Sequence, residues 1–125
     1  MHALLVDDSR AVRMMLRKML LEVGFDTTSE AGDGREALER LSEIERPDVM
    51  LVDWNMPEMN GLELIRAVRS IPKHRDIPII MVTTETEAAQ VVRALAAGAS
   101  EYVMKPFTKD VIADKLELLG ITSGS

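Results

Sequence analysis

Val49-Met50-Leu51-Val52-Asp53 is the stretch of sequence that decides the fold. Four consecutive apolar residues without polar alternation are typical of a strand that is buried on both faces, as the central strands of parallel sheets are. The run ends at a carboxylate, Asp53. Two further apolar runs of this kind lie at residues 3–6 and 78–82. The sequence therefore predicts three central strands.

Longer segments with helical spacing separate these runs. In residues 9–23 the apolar side chains recur at intervals of three and four, Ser9 can cap this helix at its start, and Gly24 can end it. Four more helices are predicted at residues 35–44, 62–71, 85–97 and 108–119. The alternation of strands and helices predicts an α/β protein whose parallel sheet is covered on both faces.

The two remaining predicted strands belong at the edges of the sheet. The second, residues 25–30, is polar from Asp26 to Ser29, and the fifth, residues 102–104, is short. With strands one, three and four in the centre, the predicted fold is a flavodoxin-like (βα)5 doubly wound parallel sheet with strand order 2-1-3-4-5. A chain of 125 residues suits one core, so residues 1–125 are predicted to form one domain.

Composition argues against several classes of function. The net charge of −6 disfavours direct contact with nucleic acid, whose phosphates attract basic surfaces. The chain has no cysteine, which excludes disulfides and thiolate metal sites. No apolar run reaches the ~20 residues of a membrane span, and the N-terminus lacks a signal-peptide pattern. We therefore expect a cytoplasmic protein without membrane insertion.

Polar side chains stand at the predicted carboxyl ends of the strands, where ligands of such sheets bind. Asp7 and Asp8 follow strand one, Asp53 follows strand three, Thr83 ends strand four and Lys105 follows strand five. Three carboxylates in one pocket need a cation, and oxygen ligands of this kind suit Mg²⁺. Together with the charge of Lys105 and the hydroxyl of Thr83, they predict phosphoryl transfer to a carboxylate nucleophile.

Five segments carry motifs in a fixed order: Val6-Asp7-Asp8-Ser9, Glu30-Ala31-Gly32-Asp33-Gly34, Asp53-Trp54-Asn55-Met56-Pro57-Glu58-Met59-Asn60-Gly61, Met81-Val82-Thr83-Thr84-Glu85 and Gly98-Ala99-Ser100-Glu101-Tyr102-Val103-Met104-Lys105-Pro106-Phe107. Over essentially its whole length the chain resembles the response-regulator receiver family, and within it the single-domain chemotaxis regulators. The resemblance implies a phosphorylation-activated regulator of a two-component system. Its implied partners are a sensor histidine kinase as phosphoryl donor, a downstream protein target and, as a further candidate, a phosphatase.

The resemblance also implies roles for individual residues. Asp53 is the implied phosphoacceptor. Asp8, Asp53 and the backbone carbonyl of Asn55 are the implied direct ligands of Mg²⁺, and Asp7 is implied to act largely through a metal-bound water. Lys105 is implied to pair with a phosphoryl oxygen, and its peptide bond to Pro106 is implied to be cis. The domain is then an enzyme only in catalysing its own phosphorylation and dephosphorylation.

A switch is the second implication of the resemblance. After phosphorylation the Thr83 hydroxyl would bond the phosphoryl group, and Tyr102 would turn inward into the space that Thr83 leaves. This movement would alter the face formed by the fourth helix, the fifth strand and the fifth helix, where targets dock. Asn55 and Glu85 are implied to tune the rate at which water removes the phosphoryl group.

Two features depart from the family pattern, and three aromatic side chains carry an expectation about their exposure. Glu101 stands before Tyr102 where a small residue is expected, and Arg93 is the one cation of the predicted fourth helix. Trp54 is expected to be partly exposed. We expect His2 and His74 to be solvated.

Three other interpretations remain open at this point. The chain could be a receiver domain excised from a multidomain regulator or hybrid kinase. It could be a small Mg²⁺-dependent phosphohydrolase that acts through an aspartyl phosphate, although it has no lid insertion to enclose a small substrate. It could be a receiver-like module that no longer takes phosphate, which is disfavoured because no site residue is missing.

Overall fold

The computed structural model describes residues 1–84 and 89–121. The five strands are β1 (His2–Val6), β2 (Thr27–Ala31), β3 (Val49–Asp53), β4 (Ile79–Thr84) and β5 (Glu101–Lys105). The five α-helices are α1 (Arg10–Glu22), α2 (Gly34–Glu43), α3 (Gly61–Ser70), α4 (Val91–Ala97) and α5 (Lys109–Leu118), and a short 3₁₀ helix spans Pro72–His74. Within the described ranges, no helix has the length and apolar character that crossing a membrane requires.

The strands form one parallel sheet in the order β2-β1-β3-β4-β5. Apolar side chains of α2, α3 and α4 pack on one face of this sheet, and those of α1 and α5 pack on the other. This arrangement confirms the predicted flavodoxin-like doubly wound fold and its strand order.

Burial follows the predicted division into central and edge strands. All five residues of β3 are buried, and in β1 and β4 only the terminal residues His2 and Thr84 are partly exposed. In β2 only Ala31 is buried, and in β5 only Val103. The apolar runs of the sequence thus identify the strands that are covered on both faces.

Most predicted boundaries lie within one or two residues of the observed ones, and the starts of the second strand and the fourth helix are two that differ. Strand β2 begins at Thr27 rather than Phe25, because the N–H of Phe25 donates to the carbonyl of Leu20 at 2.9 Å and its buried ring closes the end of α1. The described part of the fourth helix begins at Val91, and residues 85–88 of the predicted helix lie outside the described residues.

Two expectations about exposure are wrong. Trp54 is only 9% exposed, because its N–H continues the sheet by donating to the carbonyl of Val82 at 3.0 Å and its ring packs into the core beneath α3. His74 is 7% exposed, and burial together with the charge of Lys73 lowers its pKa. His2 is half-buried, with Nε2 at 2.7 Å from the hydroxyl of Ser29.

A close backbone approach joins the start of α3 to the end of β3. The N–H of Gly61 donates to the carbonyl of Trp54 at 3.0 Å. A Cβ atom at Gly61 would lie 2.7 Å from the backbone oxygen of Asp53. Asn60 and Glu63 form a reciprocal capping box at the same helix start, which fixes where α3 begins. Only glycine therefore fits between this helix and the strand that carries Asp53.

We predict that Gly61→Ala destabilises the domain by about 1–3 kcal/mol, because the added methyl group meets backbone atoms that cannot rotate away. Urea denaturation measures the effect. The matched control is Gly32→Ala, where the nearest atoms to the new Cβ are side-chain ends at 3.6 and 3.9 Å. The control should be neutral or slightly stabilising. Equal stability of the two variants would contradict the close-approach explanation.

Candidate functional site

The carboxyl ends of four strands meet at one edge of the sheet. Asp7 and Asp8 directly follow β1, Asp53 is the last residue of β3, and Lys105 is the last residue of β5. In register, Asp53 lies beside Val82 of β4, and Thr84 of β4 lies beside Lys105. Because parallel strands end at the same end of the sheet, Asp7, Asp8, Asp53 and Lys105 converge there.

The three aspartates form a tight cluster. One carboxylate oxygen from each of Asp7, Asp8 and Asp53 lies within 4.8 Å of the others. The Nζ atom of Lys105 is 3.1 Å from Oδ1 of Asp53, with a hydrogen bond, and 3.6 Å from Oδ2 of Asp7. Asp7 and Asp53 are buried, whereas Asp8 is exposed, so the cluster opens to solvent on the Asp8 side.

The burial of these charges perturbs their protonation. Burial, with a further contribution from the charge of Asp7, raises the pKa of Asp53 to about 6, although Lys105 opposes this shift. Burial also raises the pKa of Asp7, against the hydrogen bond from the Ser9 N–H at 2.8 Å. Burial alone would lower the pKa of Lys105, but its hydrogen bond to Asp53 and the charges of Asp53 and Asp7 outweigh that effect and raise it.

One oxygen of the cluster is left without a hydrogen bond. Oδ2 of Asp7 is buried and has no hydrogen-bond partner within residues 1–84 and 89–121. Buried acceptors are usually hydrogen-bonded or bound to a cation. This oxygen, 3.6 Å from the Lys105 ammonium and beside two further carboxylates, belongs to a donor set that suits a hard divalent cation. The residues therefore fit a metal ion of the Mg²⁺ class.

The segment after β3 borders this cluster. Asn55, two residues after Asp53, is exposed, and the metal-binding role of its carbonyl stays a prediction. Glu58 has a φ of 65°, the left-handed conformation that is uncommon outside glycine, and its carboxylate lies 3.9 Å from the guanidinium of Arg35. Glu85, the other residue predicted to tune dephosphorylation, lies outside the described residues.

Thr83 and Tyr102 lie on one face of the sheet. In register, Met81 is beside Tyr102 and Thr83 is beside Met104. Because side chains alternate along a strand, Thr83 and Tyr102 point to the same side from neighbouring strands. Thr83 is buried, and Tyr102 packs half-buried against the core. The peptide bond between Lys105 and Pro106 is cis, as the resemblance implies.

Arg13 is a residue of the site that the sequence analysis missed. Its Nη1 atom donates to the backbone carbonyl of Asp7 at 2.5 Å, and its Nε atom donates to Glu30 at 2.9 Å. It thereby ties the end of β1 to β2. Its position one helical turn after the Ser9 cap could have suggested a contact with the end of β1. Arg10 and Arg17 of the same helix were similarly plausible candidates for that contact from the sequence alone.

A small apolar patch lies away from this site on α1. Met14 is 60% exposed and Leu21 is 43% exposed. Together with the aliphatic parts of Arg17 and Lys18 they line a shallow groove of about 500 Å³. Because both side chains are exposed, they do not widen the buried face of α1.

Known proteins share this architecture. A family model described as the response regulator receiver domain matches residues 3–117. The chain is 49% identical to a chemotaxis protein CheY homolog of Campylobacter jejuni, covering 99% of this chain and 96% of the relative. It is 45% identical to the chemotaxis protein CheY1 of Helicobacter pylori, covering 95% and 96%. The solved structure of CheY4 from Vibrio cholerae, at 37% identity, superposes with a TM-score of 0.85 and covers 94% of this chain and 96% of that one. The chain therefore belongs to the response regulator receiver domain family, and it is a CheY-like receiver domain.

Proposed function

We propose that this domain takes a phosphoryl group from a sensor histidine kinase onto Asp53 and so controls a protein target. The observation that carries the proposal is the position of Asp53: a buried carboxylate, hydrogen-bonded to Lys105 at 3.1 Å, at the point where Asp7 and Asp8 converge. A nucleophilic carboxylate flanked by a cation and by metal-binding groups is the arrangement that phosphoryl transfer requires.

The chemistry follows from these side chains. An oxygen of Asp53 attacks the phosphorus of a phosphohistidine, the P–N bond breaks as the P–O bond forms, and the imidazole leaves. Lys105 then pairs with a phosphoryl oxygen. Water later attacks the phosphorus, the P–O bond to Asp53 breaks, and the carboxylate is restored as inorganic phosphate leaves. We expect Asn55 and Glu85 to tune the rate of this step. In this narrow sense the domain catalyses its own phosphorylation and dephosphorylation.

Mg²⁺ is the proposed cofactor. Asp8, Asp53 and the backbone carbonyl of Asn55 would hold it directly, and Asp7 would act largely through a metal-bound water. When bound, the ion neutralises the carboxylates and the negative charge that arrives with the phosphoryl group.

The proposed output is a contact with another protein. The face made by α4, β5 and α5 carries exposed apolar side chains on both helices, including Val92 (73% exposed) and Val111 (39% exposed). Thr83 and Tyr102 would connect the phosphoryl group to this face. The chemotaxis relatives favour a pathway of that kind, with a phosphatase as a further partner, and the net charge of −6 argues against direct nucleic-acid contact.

We predict that Asp53 is the sole phosphoacceptor. Incubation with acetyl phosphate and Mg²⁺ should add one phosphoryl group, which peptide mass spectrometry after borohydride trapping assigns to Asp53. Asp53→Asn should abolish the modification, whereas the exposed control Asp114→Asn should retain it. Stable labelling of Asp53→Asn at another residue would overturn the assignment.

We predict that Thr83→Ala uncouples phosphorylation from the output face. The variant should still accept the phosphoryl group. It should lose most of the change in hydrogen exchange that phosphorylation causes in β5 and α5, because it lacks the hydroxyl that donates a hydrogen bond to the phosphoryl group. Couplings of this kind are typically about 5–150-fold. The control is Thr27→Ala, an exposed threonine of the edge strand β2. An unchanged exchange response in Thr83→Ala would refute the relay.

We predict that Asp53→Asn stabilises the metal-free protein by a few degrees in melting temperature. The folded pKa of Asp53, about 6, lies above the ordinary value of 3.8. The fold therefore favours the protonated form, and stability is lost as pH rises from about 4 through about 6. Melting curves in EDTA should show parent and variant converging at pH 4 and diverging by pH 7.

Millimolar Mg²⁺ should reverse this order at pH 7. Binding to the folded cluster stabilises the parent by about 2.7 kcal/mol at 100 times the dissociation constant, and the variant gains less because one ligand has lost its charge. Asp114→Asn should follow the parent in both buffers. If the parent does not respond to Mg²⁺, or if Asp53→Asn is less stable than the parent in EDTA at pH 7, the three aspartates do not form a metal site.

A further inference from the structure

Tyr102 is held from outside the sheet by a residue of the neighbouring helix. The Nζ atom of Lys115, on α5, lies 4.7 Å from the centre of the Tyr102 ring. The same ammonium is 3.1 Å from Oε1 of Glu101. That carboxylate oxygen also accepts the backbone N–H of Tyr102 at 3.0 Å. Three residues therefore form a closed set of contacts around one ring.

The contact crosses the edge of the sheet. Tyr102 packs with the core cluster on the side of α3 and α4, whereas α5 covers the opposite face. Because β5 is an edge strand, Lys115 can reach around it to the ring on the far side. Thr83 lies on the same face as Tyr102, but one strand further in. A ring that turns toward Thr83 consequently moves away from Lys115.

Glu101 keeps the ammonium in place over the ring. The side chains of Lys115 and Glu101 are 24% and 21% exposed, so the pair is sheltered from solvent more than a typical surface ion pair. Glu101 is also the residue that departs from the small side chain expected before the tyrosine. The departure from a small residue at position 101 therefore has a structural consequence: the Glu101 carboxylate holds the Lys115 ammonium near the Tyr102 ring.

We propose that Lys115 and Glu101 position the Tyr102 ring at the sheet edge and thereby hold the domain back from its switched form. The inference rests on the proposed function, in which Tyr102 turns inward beside Thr83 after phosphorylation. A cation over an aromatic face at a partly exposed site changes an equilibrium by a factor of about 2–5. This contact therefore tunes the switch and does not decide it, because the phosphoryl group contributes a larger coupling.

The test uses beryllofluoride with Mg²⁺ as a phosphoryl mimic and two intrinsic probes. The chain contains one tyrosine and one tryptophan, so ring-¹³C tyrosine gives the NMR signals of Tyr102 alone and fluorescence reports Trp54 alone. Lys115→Met removes the cation, whereas Lys115→Arg keeps a cation at this position. Glu101→Gln removes the negative charge that pairs with Lys115. The matched control is Lys109→Met, which alters net charge equally on α5 but removes a lysine that pairs with Glu22 at 3.4 Å.

Removing the contact should make activation easier. Lys115→Met should lower the beryllofluoride midpoint about 2–5-fold and move the free Tyr102 signals along the line toward their bound positions. Glu101→Gln should act in the same direction, while Lys115→Arg and Lys109→Met keep the parent midpoint. The positioning role is overturned if the parent responds to beryllofluoride and both Lys115→Met and Lys109→Met have the same beryllofluoride midpoint as the parent. If neither Trp54 nor Tyr102 of the parent responds to beryllofluoride at saturating Mg²⁺, the proposed function fails first and this inference fails with it.

Discussion

The burial of Asp7 beside Asp53 is the constraint on which the rest of the site depends. Two carboxylates that are removed from solvent repel each other and lose hydration, and Lys105, which lies within 3.6 Å of both, offsets only part of this cost. The pKa of Asp53, raised to about 6, records the balance: burial and the charge of Asp7 outweigh the lysine. The balance favours the protonated form of Asp53, and a divalent cation held by the cluster would offset the same repulsion.

The packing of the central strands offsets the free-energy cost of burying Asp7 and Asp53. β1 and β3 deliver the buried aspartates, and their apolar side chains lie in both core clusters, covered by helices on the two faces of the sheet. Two tight backbone contacts then fix the loops. The guanidinium of Arg13 holds the carbonyl of Asp7, and the missing side chain of Gly61 lets α3 approach the carbonyl of Asp53. Crowded buried carboxylates persist in a folded protein only where many other contacts of the surrounding structure hold them in place.

The sequence was sufficient for the architecture and for the convergence of the charged residues, because both follow from period and strand order. Unbroken apolar runs identify β1, β3 and β4, and a parallel sheet brings Asp7, Asp53 and Lys105 to one edge whatever the details of packing. Packing details could not be derived. The burial of Trp54 depends on how the chain turns after β3, and the position of Lys115 over Tyr102 depends on how α5 lies against the sheet edge. Neither is encoded in local spacing.

The order of the strands connects the aspartate cluster to the face formed by α4, β5 and α5. β3, β4 and β5 are consecutive neighbours, and they carry Asp53, Thr83 and Tyr102 respectively. On the proposed mechanism, a phosphoryl group on Asp53 draws the Thr83 hydroxyl toward it, and a close-packed interior does not leave the resulting space empty. The Tyr102 ring lies on the same face of the neighbouring strand, diagonal to Thr83, and the Lys115 ammonium lies 4.7 Å from the centre of that ring. On this proposal the phosphoryl group drives the switch, and the cation at the sheet edge adjusts how readily the ring moves toward Thr83. Because the cation is offered by a helix of the output face itself, a target that binds Lys115 would draw it away from the ring and favour the switched form, so that target binding and phosphorylation reinforce each other as linkage requires.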